Sequence, residues 1–236
     1  MTTREPEKRS ESQGRAGLRW LAKSLGGTVF MGALLFWVAG RVDWLMGWVY
    51  LAIFVAVSVA SVQAVVPELL RERSGRHANV ASWDKALLPI YSLLGWLVTP
   101  LLAALQLRLQ GRLSVASWLQ VLGMVVYGLG WALHLWAMAV NRFFAKVVRL
   151  QEDRGQEVAT QGPYAWVRHP GYTGAALSGL GLSFFLGSTW AMIPAALSVG
   201  LIILRTVLED RLLRQELAGY GEYASAVRYR LIPGIW

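Results

Sequence analysis

Cysteine is absent from the 236 residues, and histidine occurs only at positions 77, 134 and 169. Without thiols the chain has no disulfide, no thiolate metal site and no thiol nucleophile, and three scattered histidines argue against a histidine metal cluster. Redox compartment is therefore not readable. Charge is also thin, at 16% of residues against 55% hydrophobic, and the centres of the long apolar runs hold no Asp, Glu, Lys or Arg. A transporter or proton pump needs ionisable groups near the membrane midplane to replace the solvation of its cargo, so that class is weakened. His134 is the one candidate inside a run, and it reads better as a residue that hydrogen-bonds between helices. No repeat of fixed period is found. The first apolar run leads through Arg41-Val42-Asp43 into a second long one with no clear small-residue cleavage site, which speaks against a cleavable signal.

What remains is a membrane chain. Mean hydropathy is +0.42, and a helical crossing needs about 20 apolar residues. On that basis the spans fall at 24–40, 44–66, 87–106, 115–140, 172–187 and 189–205, several of them short. The expected fold is an all-α polytopic integral membrane protein of about six transmembrane helices, with a C-terminal helical hairpin and cytoplasmic cofactor-binding loops. Residues 1–17 form a polar tail of mixed charge expected to be disordered, 18–140 hold transmembrane helices 1–4, and 141–236 form a catalytic region closed by an interfacial helix.

The net charge of +9 would suit nucleic acid, but topology explains it better. With the N-terminus inside, Lys and Arg number six through Lys23, four in the loop through Lys85, five from Arg142 to Arg168 and five from Arg205 onward, whereas the opposite side has only Arg41, Arg108 and Arg112. Positive charge collects on the cytoplasmic side, so both termini are expected there, at the inner membrane if the source is bacterial, with no nucleic-acid partner. Of the twelve tryptophans, Trp20, Trp44, Trp48, Trp118, Trp190 and Trp236 lie near span ends, where an amphipathic indole suits the interface.

Polar chemistry concentrates from Asn141 to Tyr172 and from Arg205 to Trp236. Asn141, Arg142, Lys146 and Arg149 leave the fourth span, and Gly162-Pro163 punctuates the far end of the following loop. Tyr164, Arg168, His169 and Tyr172 stand just before the fifth span, with Pro170 suited to an early helical position that needs no N–H. Each residue has a plain structural account: Arg168 snorkelling to headgroups, the tyrosines in an aromatic belt, Arg205 and Glu209 as a surface pair four apart on one helix face. The glycines at 174, 179, 181 and 187 suit a tight hairpin of spans five and six. That hairpin returns Arg205 and Glu209 to the face that bears Tyr164 to Tyr172.

Taken in order, Tyr164, Arg168-His169-Pro170-x-Tyr172-x-Gly174, an apolar hairpin, then Arg205, Glu209-Asp210 and Leu213 resemble the signature of the isoprenylcysteine carboxyl methyltransferase and phospholipid methyltransferase superfamily of integral-membrane enzymes. The ending Gly221-Glu222-Tyr223 through Tyr229-Arg230-Leu231-Ile232-Pro233 is similar to that family's tail. The match runs from about Asn141 to the C-terminus. Two departures are Asp210 where the pattern has Glu, and a longer segment between Leu213 and Tyr223, at the expected substrate entrance.

The resemblance implies S-adenosyl-L-methionine as cofactor, held on the cytoplasmic side, and no metal. Carried over, Tyr164, His169, Pro170, Gly171 and Tyr172 line the cofactor site, Glu209 meets the cofactor, Gln156, Glu157, Val158 and Ala159 add contacts from the loop, and Arg205 faces the substrate as the catalytic residue. The residue types suit that ligand on their own account, since it carries an ammonium, a carboxylate and a sulfonium that call for an acceptor, donors and aromatic faces. The acceptor is expected to be lipophilic and membrane-resident, with a carboxylate favoured. The alternatives are a phospholipid amine N-methyltransferase, a membrane reductase using NADPH, and a non-catalytic membrane scaffold.

Overall fold

A computed structural model of the chain describes residues 4–64, 69, 72 and 79–236. Among them there is no strand. The main helices among the described residues are α1 Arg4–Ala39, α2 Leu45–Ala64, α3 Asp84–Gln110, α4 Ser117–Val140, α5 Pro170–Phe185, α6 Met192–Glu216 and α7 Tyr220–Ala226. Long apolar runs become helices because only a helix or a closed barrel satisfies every backbone N–H and C=O away from water. The basic residues at 71, 73 and 76, and His77, fall outside the described residues.

Among the described residues five helices have the length and composition to cross a membrane: Trp20–Ala39 within α1, Leu45–Gln63 within α2, then α3, α4 and α6. The remaining expected span, 172–187, corresponds to α5, which is shorter than these five. Its 16 residues reach about 24 Å at 1.5 Å per residue, short of a hydrocarbon core of about 30 Å. The reason lies before it. Loop 141–169 is sunk into one end of the bundle, with Phe143, Val148 and Gln151 buried, so α5 starts opposite His134, below the end of α4. The His134 ring nitrogen Nδ1 lies 3.0 Å from the Gly171 carbonyl oxygen.

Two further expectations shift. The helix α1 begins at Arg4, inside the stretch expected to be disordered, where Glu, Lys, Arg and Gln are all good helix formers. At the other end α6 continues without a break to Glu216, so the amphipathic stretch after Arg205 is the end of a long span. Trp48, Trp118 and Trp190 face outward as belt residues do, whereas Trp20 and Trp44 turn inward.

Glycine allows the close contact that joins α5 to α4. A Cβ on Gly174 would come within 2.5 Å of the Gly130 carbonyl oxygen, and one on Gly181 within 2.6 Å of the Tyr127 nitrogen. Gly123 and Gly130 answer them across the interface, seven residues apart as Gly174 and Gly181 are. No side chain fits where two backbones approach this closely. The predicted hairpin of α5 with α6 is therefore looser, and Gly179 alone of these approaches α6, at Val199. The turn between them uses Gly187 at φ +74°. It is tied down by Ser114 N–H donating to the Gly187 carbonyl at 2.9 Å and by buried Gln106, whose Oε1 accepts from Ser188 Oγ at 2.6 Å.

Helix α3 carries a π-helical turn at Leu93–Val98. Pro100 lacks the N–H that an α-helical ladder would use and crowds the carbonyl one turn back, and the wider turn accommodates it. Thr99 Oγ1 takes up the Leu94 carbonyl at 2.8 Å. This irregular turn faces the interior, where it borders a cavity described below.

Candidate active site

At the end of the bundle where α4 stops and α5 starts, a cleft of about 100 Å³ opens between loop 141–159, the start of α5 and the end of α6. Of the residues expected to bind cofactor, Gln156, Glu157, Val158, Ala159, Tyr164, His169, Gly171, Tyr172 and Glu209 all line it. Pro170 does not: it is buried as the first residue of α5 and serves to start that helix. Arg205 also lies outside the cleft, on the wall of the neighbouring cavity.

Each lining side chain is held by another element. Tyr164 accepts a hydrogen bond on its hydroxyl from Asn141 Nδ2 at 3.2 Å, while its carbonyl receives the Tyr223 hydroxyl at 2.7 Å. Burial pushes both phenols above the ordinary tyrosine range, so they stay neutral donors. The His169 and Tyr172 rings stack with centroids 5.7 Å apart. Tyr172 donates its hydroxyl to Glu209 Oε2. The carboxyamide oxygen of Gln156 takes the Gln151 N–H at 2.8 Å, and so shapes the loop it sits on. Glu157 is exposed, 3.6 Å from Arg142. The backbone N–H groups of Glu157, Val158 and Ala159 have no acceptor among the described residues.

Asp210 organises the base of the cleft. It is 1% exposed and takes a two-point contact from Arg168, Nε to Oδ1 at 2.7 Å and Nη2 to Oδ2 at 3.2 Å. Tyr220 donates to Oδ1 at 2.9 Å, and Arg214 and Arg230 reach Oδ2 at 3.2 and 3.0 Å. Arg168 spends its remaining nitrogen, Nη1, on the carbonyls of Val227 and Arg228. The backbone of the same segment accepts from the N–H groups of Arg168 and His169, both at 2.9 Å. The C-terminal segment is thereby clasped across the start of α5, and Tyr220 and Tyr223 of α7 are set over the cleft.

Arg205 departs from the surface pair with Glu209. It reaches across to the first residue of α3 and binds Asp84 through Nε to Oδ1 at 2.6 Å and Nη2 to Oδ2 at 3.0 Å, and Nη2 also donates to the Lys146 carbonyl at 2.8 Å. Asp84 further accepts the Val148 N–H at 2.7 Å. Both charges are buried. Nη1 is the one nitrogen of Arg205 with no acceptor among the described residues, and the guanidinium stands 5.3 Å from the Tyr172 ring centroid.

The neighbouring cavity holds about 440 Å³ and runs among the membrane helices. Phe144, Ala145 and Tyr172 border both spaces. Arg205 and Lys146 are its charged lining residues, and no acidic side chain lines it among the described residues.

Residues 118–218, which run from the start of α4 to the end of α6, match the family model for phospholipid methyltransferases. Over this stretch, less than half of the chain, the protein is similar to that family of membrane methyltransferases. No curated protein matches the chain. Every residue expected at the methyltransferase site falls inside the matched stretch, whereas Asp84, Tyr220, Tyr223 and the clasped segment 227–231 lie outside it. In the sequence reading Tyr223 and residues 229–231 figure only as a family-like tail, without a role at the site, and Asp84 and Tyr220 are not singled out. Asp84 sits 121 positions from Arg205, and no spacing rule links the two. Besides the tail motif at Gly221-Glu222-Tyr223, the spacing of Tyr220 and Tyr223, three apart on one helical face, is a signal for α7. Among the described residues no group of His, Asp or Glu is placed to hold a metal ion.

Proposed function

We propose that this protein transfers the methyl group of S-adenosyl-L-methionine to a lipophilic acceptor that enters from the bilayer, with a carboxylate as the accepting group. The observation that carries this reading is the pair of abutting spaces: a polar cleft at the bundle end, and a larger cavity among the membrane helices, divided by Tyr172, Phe144 and Ala145. A water-soluble donor and a lipid acceptor need opposite surroundings yet must meet at one point. The wall between the two spaces is such a point.

The cleft residues suit the cofactor. Glu209 keeps Oε1 without a hydrogen bond among the described residues and offers it to a cation, His169 and Tyr172 present stacked faces, and the N–H groups of Glu157 to Ala159 suit a carboxylate. When bound there, the cofactor supplies an electrophilic methyl. The protein's part is positioning and exclusion of water, since an anionic acceptor needs no base to remove a proton. Lys146 at the cavity and the Nη1 face of Arg205 supply positive groups for a carboxylate, and the lack of lining acid offers nothing to an ammonium. A phospholipid amine is the second reading, favoured by the family description. The positive-inside count supports an orientation with the cleft in the cytoplasm. Cysteines placed at Arg112 and Asp153 of this cysteine-free chain test it: in sealed cells an impermeant reagent should label position 112 and spare 153, and the reverse pattern overturns the orientation.

Calorimetry on the purified protein in detergent tests the cofactor. S-adenosylmethionine or its demethylated product should bind. Glu209→Gln should weaken that binding by about tenfold, the 1.4 kcal/mol scale of a hydrogen bond to a charged group. A folded protein that binds neither ligand, or that binds NADPH instead, sinks the reading.

A further inference from the structure

Two tyrosines at the far end of the larger cavity leave their hydroxyl protons unused. Tyr50 of α2 and Tyr127 of α4 are 2% and 3% exposed, both line the cavity, and their rings lie 6.3 Å apart. The Tyr50 hydroxyl has no hydrogen-bond partner among the described residues, and the Tyr127 oxygen meets only the indole N–H of Trp131, which leaves its own O–H proton without an acceptor. The buried indole N–H of Trp131 lies beside them, turned toward the Tyr127 oxygen but without a partner in good hydrogen-bond geometry, and its ring packs edge-on against Tyr127. A buried donor left unmade costs about 1–3 kcal/mol, and an apolar lipid chain would be better served by phenylalanine at all three places. Two free hydroxyl protons with a buried indole N–H beside them point to a ligand oxygen.

The cavity runs along α5 from Tyr172 at its polar end to Leu182, ten residues or about 15 Å of helix. Leu182 belongs to the same packed cluster as Tyr50 and Tyr127, so the donors mark the end remote from the cleft. The walls between are largely apolar, with Phe54, Trp96 and Ile202 among them.

We propose that the cavity selects a lipophilic acid with a second oxygen function, a hydroxyl or carbonyl, at the end opposite its carboxylate, read by the hydroxyls of Tyr50 and Tyr127 and the N–H of Trp131. The methyltransferase reading enters only in deciding which end reacts. Plain hydrocarbon chains of equal length are the disfavoured ligands.

The test compares a long-chain fatty acid with its terminally hydroxylated analogue, each displacing a fluorescent fatty acid from the purified full-length protein. The hydroxylated acid should bind the wild type more tightly. Tyr50→Phe and Tyr127→Phe, which each remove one oxygen and keep the ring, should each lower its affinity roughly three- to tenfold, the span of one hydrogen bond, and leave the plain acid unchanged or better bound. Trp131→Phe should act in the same direction. Equal affinity of the two acids for the wild type, equal losses for both in the variants, or failure of either acid to displace the probe each overturns the proposal. Methyl ester formation is scored separately. If the preference for the hydroxylated acid is present but no ester forms, the methyltransferase reading fails and the binding site stands; if both acids are esterified without preference, the reverse holds.

Discussion

Asp210→Asn is expected to be among the most damaging single changes in the molecule. The substitution keeps the shape but removes the charge that faces Arg168, Arg214 and Arg230. Arg168 is the critical partner, because at 4% exposure it cannot turn to water once its counter-ion is gone. Breaking one side of a buried pair costs about 3–5 kcal/mol, most of it the charge left behind. The loss should appear as a lower thermal midpoint in detergent. It should also appear as loss of S-adenosylmethionine binding, since the same carboxylate holds Tyr220 over the cleft and, through Arg168, clasps residues 227 and 228. Tyr220→Phe removes the contact to Asp210 and keeps the ring, so it should weaken binding with a far smaller change in midpoint. A stable Asp210→Asn protein with ordinary cofactor affinity would show that the clasp is decoration.

The second large effect is at Arg205. Arg205→Ala should destabilise on the same scale of about 3–5 kcal/mol, because Asp84 stays buried with the Val148 N–H as its remaining partner among the described residues. Loss of activity in that variant alone says nothing about chemistry. Arg205→Met combined with Asp84→Asn separates the two roles: it leaves no unpaired charge, keeps an acceptor for the Val148 N–H and retains the volume of the side chain. Replacement of a buried ion pair by neutral groups of similar size is often close to neutral, so the double variant should recover most of the thermal midpoint and bind cofactor. If Arg205 touches the acceptor through Nη1, the double variant still fails to methylate a carboxylate. Normal turnover in that variant would reduce Arg205 to a strut between α3 and α6.

Much of the site was legible in the chain because it is local. Tyr164 to Tyr172 lie within nine residues, and Glu209 returns to them by a hairpin that follows from two apolar runs and Gly187. Hydrophobic run length and the rule that backbone polar groups must be satisfied internally determine the all-helical membrane class. The bias of Lys and Arg sets the expected orientation. The family resemblance carried the cofactor reading, and the residue types agreed with it, since the groups that suit an ammonium, a sulfonium and a carboxylate can be named before they are seen together.

Only the tertiary structure decided who pairs with whom. Arg205 and Glu209 are four apart on one helix, yet each has a partner on a different element, Asp84 and Tyr172, because a buried guanidinium fork favours a two-point carboxylate contact over a surface pairing. Gly174 and Gly181 were visible as small residues, but a stripe of glycine does not say which neighbour it admits, and the answer was α4. The length of α5 depended on how deeply loop 141–169 sinks, which is a packing outcome. The cavity that ends at Tyr50 and Tyr127 is made by helices from both halves of the chain, and an enclosed volume has no signature in sequence order. Composition and period are properties of one segment, whereas pairing, depth and cavity shape are properties of several segments at once.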